Sequence, residues 1–422
     1  AVLRTGGAAM IRTTRRGFTL IELMIGMTLG LFVVGGVVAM FITSSSTASN
    51  QQRLSQVLEN GRYGAQILSD ELRKTGTQYC ASYANALPAD SGVNLLRAPL
   101  IRVASTSTLQ KWMPTPPTPI KPYMLDPGRF VRGNDCDSGG TCRPALATAA
   151  NDINVVPAAG TALGDRVRGT DVLTVRYLAT DGVSIAANAG GANEVDVGVA
   201  VTNAPLEFSD GQMAMIANCS SAEIFAVGTM GTKLRHRVDE GNIVGTLGDA
   251  YTVAGDARVF NFSRDFRSVT YYVGLREDSL NSGELISSLF RIENGGDPEE
   301  LIEGVERFDV TYVVVDGRGG THYLNANQVA ANPSALTCPP VAMTVPVGDP
   351  GCLWRGVQAV DVSMLVVSTR SGPRGDEAFR YSPDGDTIQS FATNATLPSG
   401  LTAGNRLRRE FRVYAGFRNL SR

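Results

Sequence analysis

TTRRGFTLIELMIGMTLGLFVVGGVVAMFI, residues Thr13 to Ile42, decides the architecture of this 422-residue chain. Arg15, Arg16 and Gly17 precede an apolar run from Phe18 to Ile42 whose one formal charge is Glu22. As an α-helix this run rises about 37 Å, enough to cross about 30 Å of hydrocarbon. A cleavable secretory signal has a shorter apolar core followed by small residues, whereas here the small residue comes before the run. The nearby arginines lie on the N-terminal side and the next cation is Arg53. The positive-inside rule therefore places the residues before Phe18 in the cytoplasm and the rest outside. Glu22 is the anomaly, because a lone acid costs roughly 2.5 to 3.5 kcal/mol at the centre of a span.

The helical period continues beyond the span. Leu54, Val57, Leu58, Gly61, Ala65, Leu68 and Leu72 recur at three- and four-residue spacing with polar residues between them. That pattern predicts an amphipathic half lying against a globular body. One helix from about Phe18 to Thr75 is expected, roughly 87 Å long. Within the span Gly26 and Gly30 form a G-x-x-x-G, followed by Gly35 and Gly36. Such spacing lets two membrane helices approach closely, although glycine is also simply common in these helices.

Composition points to a β-rich exported body. Hydrophobic residues make up 43% and charged residues 18%, and 46 glycines suit many short strands joined by turns. Four of the 38 basic residues precede Phe18, leaving 34 against 40 acidic ones. That total implies no general nucleic-acid surface; a local basic run, KLRHR from Lys233 to Arg237, reads as a solvated turn. The six cysteines include no Cys-x-x-Cys and there are two histidines, so disulfides formed in an oxidising compartment are expected rather than zinc. Fifteen pairings are possible. Proximity favours Cys136 with Cys142 and Cys338 with Cys352, leaving Cys80 with Cys219 by default.

RGFTLIELMIG, residues 16–26, closely resembles the class III signal of type IV pilins and pseudopilins: a basic leader ending in glycine, then phenylalanine, then an apolar stretch with glutamate at the fifth mature position. The resemblance implies cleavage by a prepilin peptidase between Gly17 and Phe18, with Arg15 and Arg16 in the leader, and N-methylation of Phe18. It also implies that Glu22, helped by Gly26 and Gly30, is an assembly residue. The carboxylate would meet the new amine of a neighbouring subunit, so that a buried charge is tolerated because it is paired. The alternative is a carboxylate that snorkels to the headgroups, about 6 Å from the new terminus. If Met10 is the start, the leader MIRTTRRG is eight residues long. Ala39 stands where major pilins often carry proline, and the chain is much longer than they are. Its size, its multi-strand C-terminal region and its ending look most like PilW-type minor pilins, with the J-type pseudopilin of type II secretion as the nearest competitor.

The implied fold is α+β and lollipop-like: a long N-terminal helix packed on a C-terminal antiparallel β-sheet head with loop-rich insertions. Residues 1–17 are the expected leader, 18–42 the transmembrane half of the helix and 43–75 its amphipathic half. Residues 76–165, rich in Pro, Ala, Ser and Asp, read as a loop-rich, disulfide-containing insertion, and 166–422 as the β-rich head. Strands are expected around 171–179, 212–217, 222–227, 268–274, 288–293, 308–316, 357–369 and 409–418. Val360, Val362, Met364 and Val366 alternate onto one face, which should pack against the helix. GDPEELIEGVER, Gly296 to Arg307, reads as a helical turn or a short strand.

The implied partners are the prepilin peptidase, other minor pilins and the major pilin, the inner-membrane assembly platform, and inner-membrane lipid before assembly. The implied role is structural: initiating the pilus and sitting at its tip, in support of twitching and adhesion. No cofactor or metal is expected. Asp135 and Asp137 in NDCDSGGTC lack the further acids of a calcium loop and read as a disulfide-closed turn. A membrane-tethered hydrolase is the alternative from another class. His236 and His322 lack a neighbouring nucleophile motif and read as surface residues, and the RGD at Arg374 to Asp376 reads as a turn.

Overall fold

The computed structural model describes residues 17–76, 100–101, 103, 129–148, 152–189, 194–196, 208–218, 221–231, 233–278, 283–339, 351–372, 379–381, 389–391, 396–397 and 399–417. One α-helix, α1, runs from Leu20 to Leu72. The chain divides into two units, Ala1–Gln52 and Arg53–Arg422, and α1 contributes to both.

In the first unit the described part is the apolar helix alone. It is long and apolar enough to cross a membrane, and its large side chains are exposed, Phe32 and Met40 among them. Its few polar groups are satisfied locally. Thr28 Oγ1 donates to the carbonyls of Met24 (3.1 Å) and Ile25 (2.9 Å), and Thr43 Oγ1 to that of Ala39 (2.9 Å). In lipid such back-bonding removes the cost of an unsatisfied hydroxyl.

The second unit is built on ten principal strands. They are β1 (Val131–Cys136), β2 (Cys142–Arg143), β3 (Val172–Leu178), β4 (Phe266–Glu277), β5 (Leu285–Glu293), β6 (Glu299–Glu303), β7 (Val305–Val315), β8 (Thr321–Leu324), β9 (Val357–Val367) and β10 (Arg408–Gly416). Six form an antiparallel sheet in the order β6-β5-β4-β3-β1-β2, and four form a second in the order β8-β7-β9-β10. The segment around Glu299–Glu303 is thus a strand rather than a helical turn. The chain passes from one sheet to the other at Gly304, held at φ +76°. A Cβ there would lie 2.4 Å from the Val367 carbonyl oxygen, so only glycine turns this corner without strain.

The C-terminal half of α1 lies over both sheets. Val57, Leu68 and Leu72 share one hydrophobic cluster with Val175, Tyr271, Leu289, Phe308, Val362 and Val413. Each fully buried aliphatic side chain contributes roughly 1.5 to 3 kcal/mol. Val360, Val362, Met364 and Val366 are all buried. Gly61 and Gly64 let the helix approach this closely: a Cβ at Gly61 would fall 2.1 Å from the Phe411 ring, and one at Gly64 1.9 Å from Ile302 Cδ1. In a free helix Gly→Ala stabilises by about 1 kcal/mol; at Gly61 the overlap with the Phe411 ring opposes that gain. Glu71 fastens the end of the helix, pairing with Arg291 Nη1 at 2.5 Å and accepting a hydrogen bond from the Tyr271 hydroxyl.

Two features depart from the sequence expectation. β1 lies inside 76–165, yet it pairs with β3 in the main sheet and is no insertion. The true excursion is 179–265, which separates the hydrogen-bonded neighbours β3 and β4. It supplies four strands of a five-stranded sheet in which Met213–Ala217 lies between Ala222–Ala226 and Arg258–Asn261, the fifth strand, Leu100–Ile101, pairing parallel with Ala222–Ala226, and it carries a three-stranded sheet containing Lys233–Arg235. These sheets have their own apolar clusters, around Ile224 and Phe260 and around Phe225 and Val259. The strands expected at 212–217 and 222–227 therefore belong to this lobe. Glu223, fully buried in it, accepts hydrogen bonds from the backbone N–H groups of Gly248 (2.8 Å) and Asp249 (3.0 Å) and so pins the loop above.

Asp171 performs a similar task in the main core. Its carboxyl accepts from the N–H of Cys136 in β1 (3.2 Å) and of Val310 in β7 (2.9 Å), tying the two sheets together. Cys136 and Cys142 are joined in a disulfide across β1 and β2, and Cys338 and Cys352 in a second. Cys80 and Cys219 lie outside the described residues.

Candidate functional site

The segment around Glu22 is built from the start of α1. Phe18 is 89% exposed, Thr19 precedes the first helical residue, and Glu22 is the third residue of the helix. The Thr19 backbone N–H donates to Glu22 Oε2 at 3.0 Å and the Thr19 hydroxyl to the same oxygen at 2.9 Å. The Glu22 N–H lies 3.3 Å from Thr19 Oγ1. This is a reciprocal capping box, T-x-x-E, in which two otherwise unsatisfied donors at a helix start find partners. The carboxylate also sits at the positive end of the helix dipole. Glu22 therefore has a local role that the sequence reading missed, although its signature, threonine three residues before glutamate, was there to be read.

Gly17 and Phe18 are described and stand just ahead of this box, while Arg15 and Arg16 lie outside the described residues. A Cβ at Gly17 would meet nothing within 4 Å, and the same holds at Gly26 and Gly30. Both glycines of the G-x-x-x-G thus leave helix backbone open to close approach, as a helix-packing role requires.

The same two ends of the chain that the sequence singles out are the ones that match known families. A family described as the prokaryotic N-terminal methylation motif matches residues 12–38, and Type IV Pilus-assembly protein W matches residues 270–419. The C-terminal region is PilW-like, and the N-terminal helix carries the methylation motif. The second match begins in β4 and runs through β10, so it takes in the whole of the four-stranded sheet. Among solved structures, the chain is similar to a type IV-like pilin from Thermus thermophilus, at 19% identity over 37% of this chain and 80% of that one, with a TM-score of 0.15. Comparison with curated proteins finds no match. The family and the α+β fold are those of a structural subunit, and the motif with its apolar helix anchors the chain by its N-terminal end.

The other residues weighed from sequence are spent on structure. Asp137 Oδ1 accepts from the N–H groups of Gly139 and Thr141, both at 3.0 Å, closing the turn under the disulfide. Asp135 is half-buried, and its carboxyl is pushed up by that burial and by Asp309. Among the described residues no group of three or more metal-binding side chains forms. In the KLRHR run Lys233 and Arg237 pair with Glu194 (3.3 and 3.1 Å) and Arg235 with Glu240 (2.8 Å). The run is not a solvated turn, since Lys233–Arg235 is a strand. His322 is half-buried, with Nε2 3.6 Å from an Asp316 carboxylate that already takes the N–H groups of Arg318 and Gly320.

His236 is not at the surface. It is 1% exposed and packs on Phe225 with ring centroids 5.2 Å apart. Burial pushes its pKa below the ordinary value of 6.5, against the pull of Glu223 and Glu194. The unfolded chain therefore binds the proton more readily, so this stabilisation is present above the ordinary histidine range and is lost as pH falls through the folded value. Each unit of depression corresponds to about 1.4 kcal/mol. Asp171 acts in the opposite sense. Burial and Asp309 raise its pKa well above 3.8, against the N–H groups of Val310 and Cys136, so its contribution to stability weakens as pH rises. Acidification should loosen the 179–265 lobe while sparing the junction at Asp171. Amide exchange, corrected for intrinsic rates, should quicken in Ala222–Ala226 between pH 7.5 and 5, and His236→Phe should abolish the difference. Equal quickening in both proteins would contradict the assignment.

Proposed function

We propose that the chain is a minor pilin that joins other minor pilins to initiate the type IV pilus and sits at its tip, supporting biogenesis, twitching motility and adhesion. The observation that carries this reading is the pairing of a complete prepilin signal with a PilW-type C-terminal region on one chain. Before assembly the apolar half of α1 lies in the inner membrane, with the leader cytoplasmic and the disulfide-bonded head in the oxidising periplasm. The prepilin peptidase cuts between Gly17 and Phe18 and methylates the new amine. Cleavage leaves Thr19 in place, so the capping box survives it and keeps the Glu22 carboxylate oriented at the helix start. A neighbouring subunit then brings its Phe18 amine to Glu22 as the chain enters the assembly platform.

A clean deletion tests the system to which the chain belongs. Surface pili and twitching should be lost and type II secretion should continue. Loss of secretion with pili intact would reassign the chain to the pseudopilus.

A further inference from the structure

Two faces of α1 differ in how their charges are used. On the buried side, Arg53 donates to the Asn405 carbonyl (3.3 Å) and Glu71 is held by Arg291 and Tyr271. On the opposite side Ser55, Glu59, Arg62, Tyr63, Gln66, Asp70 and Arg73 are exposed or nearly so, within one stripe about 100° wide. Among the described residues, Glu59, Arg62, Asp70 and Arg73 make no ion pair. Tyr63, 57% exposed, lies in the middle of the stripe.

The charges on this stripe repeat. Glu59 and Arg62 are followed eleven residues later by Asp70 and Arg73. Eleven residues are just over three full turns, so the two acid-x-x-base pairs lie one above the other, about 16 Å apart. The pattern is self-complementary. If a second helix runs parallel and is displaced by three residues, about 4.5 Å, its Glu59 comes level with Arg62 and its Asp70 level with Arg73. At zero displacement like charges face each other. An antiparallel neighbour would also match, Glu59 with Arg73 and Arg62 with Asp70, but it would have to enter the bilayer from the other side.

We propose that the Glu59–Arg73 face of α1 is a docking surface for a second copy of this chain, parallel to it and displaced by three residues, with Tyr63 packed at its centre. The proposal rests on the membrane-anchored pilin reading, which makes neighbouring helices parallel. The displacement has the same sense and nearly the same size as the four-residue offset that sets a Phe18 amine opposite Glu22. Both halves of α1 then ask for a displacement of about one helical turn in the same direction. Single exposed ion pairs contribute little; two in one register, flanking an aromatic residue, select that register over the others.

The test uses two differently tagged full-length copies in inner-membrane vesicles, in a strain lacking the native gene, with a short bis-maleimide crosslinker matched to a helix separation of about 8 to 10 Å. Glu59→Cys against Arg62→Cys, and Asp70→Cys against Arg73→Cys, should crosslink about fivefold more than Glu59→Cys against itself or against Arg73→Cys. In co-capture without crosslinker, Arg62→Glu with Arg73→Glu in one copy should lower recovery, and Glu59→Arg with Asp70→Arg in the other should restore it. A dominant Glu59–Arg73 crosslink, equal yields in all registers, or capture only of a different pilin through this face overturns the proposal. If the chain is processed and joins fibres while these crosslinks are absent, the proposal alone fails. If it is not processed at all, the pilin reading fails.

Discussion

Replacing Gly17 by valine should leave the chain at precursor length in the membrane and absent from fibres, whereas Glu22→Ala should be processed normally and still fail to join its partners. The Gly17 effect must arise at the protease, because a side chain there meets nothing within 4 Å in the folded chain. The Glu22 effect has two separable parts. The substitution removes the acceptor for the Thr19 N–H and hydroxyl, a loss of about 0.5 to 2 kcal/mol at a helix start. On the proposed pairing it also removes the partner of the Phe18 amine, which would then stay unpaired in lipid at a cost of about 3 kcal/mol, or about 100-fold in association. Thr19→Ala separates them, since it breaks the side-chain half of the cap and keeps the acid. Terminal mass spectrometry reads the cut, and co-purification with the other pilins reads assembly. Normal co-purification of Glu22→Ala would sink the pairing account, and equal failure of Thr19→Ala would assign the effect to the cap.

What could be read in the chain follows from the range of each signal. The span and the amphipathic half of α1 are legible because their patterns repeat locally over many turns. The strands of the PilW-like region are legible for the same reason, as in VQAVDVSMLVV, where β-branched residues crowd a strand that is buried nearly throughout. β1 was hidden because VRGNDC carries no such pattern. Its place comes from Asp171 and from pairing with β3, which lie far along the chain. The same holds for the excursion 179–265, since nothing local in LTVRYL says that its neighbour is 90 residues away. His236 reads as a surface residue because three cations surround it in sequence, while in the fold those cations pair with two glutamates and the imidazole turns inward. The capping box is the opposite case, a short-range signal that was present and not used.

Glu306→Ala should be the most damaging single substitution in the head, at about 3 to 5 kcal/mol. Glu306 falls at a bulge in β7, where the register with β9 shifts between Val305 and Arg307, and its side chain is turned inward. There it meets Arg408 at the start of β10 in a two-pronged pair, Nε to Oε2 at 2.7 Å and Nη2 to Oε1 at 2.9 Å, with both side chains almost fully buried. The Ala403 carbonyl takes a further hydrogen bond from the same guanidinium. Removing the glutamate leaves a cation that can neither deprotonate nor reach water. Glu306→Leu combined with Arg408→Met should restore most of the stability, because apolar pairs replace buried ion pairs at little or no cost. Urea unfolding of the detergent-solubilised chain measures both; a double variant as unstable as Glu306→Ala would mean that the pair is needed for more than charge balance. The consequence reaches α1 through one strand. Among the described strands β10 is hydrogen-bonded only to β9, and it carries the Phe411 ring that meets Gly61. Loosening the Arg408 end of β10 should therefore free the amphipathic half of the helix, so that a charge buried in the head governs how firmly the helix is held.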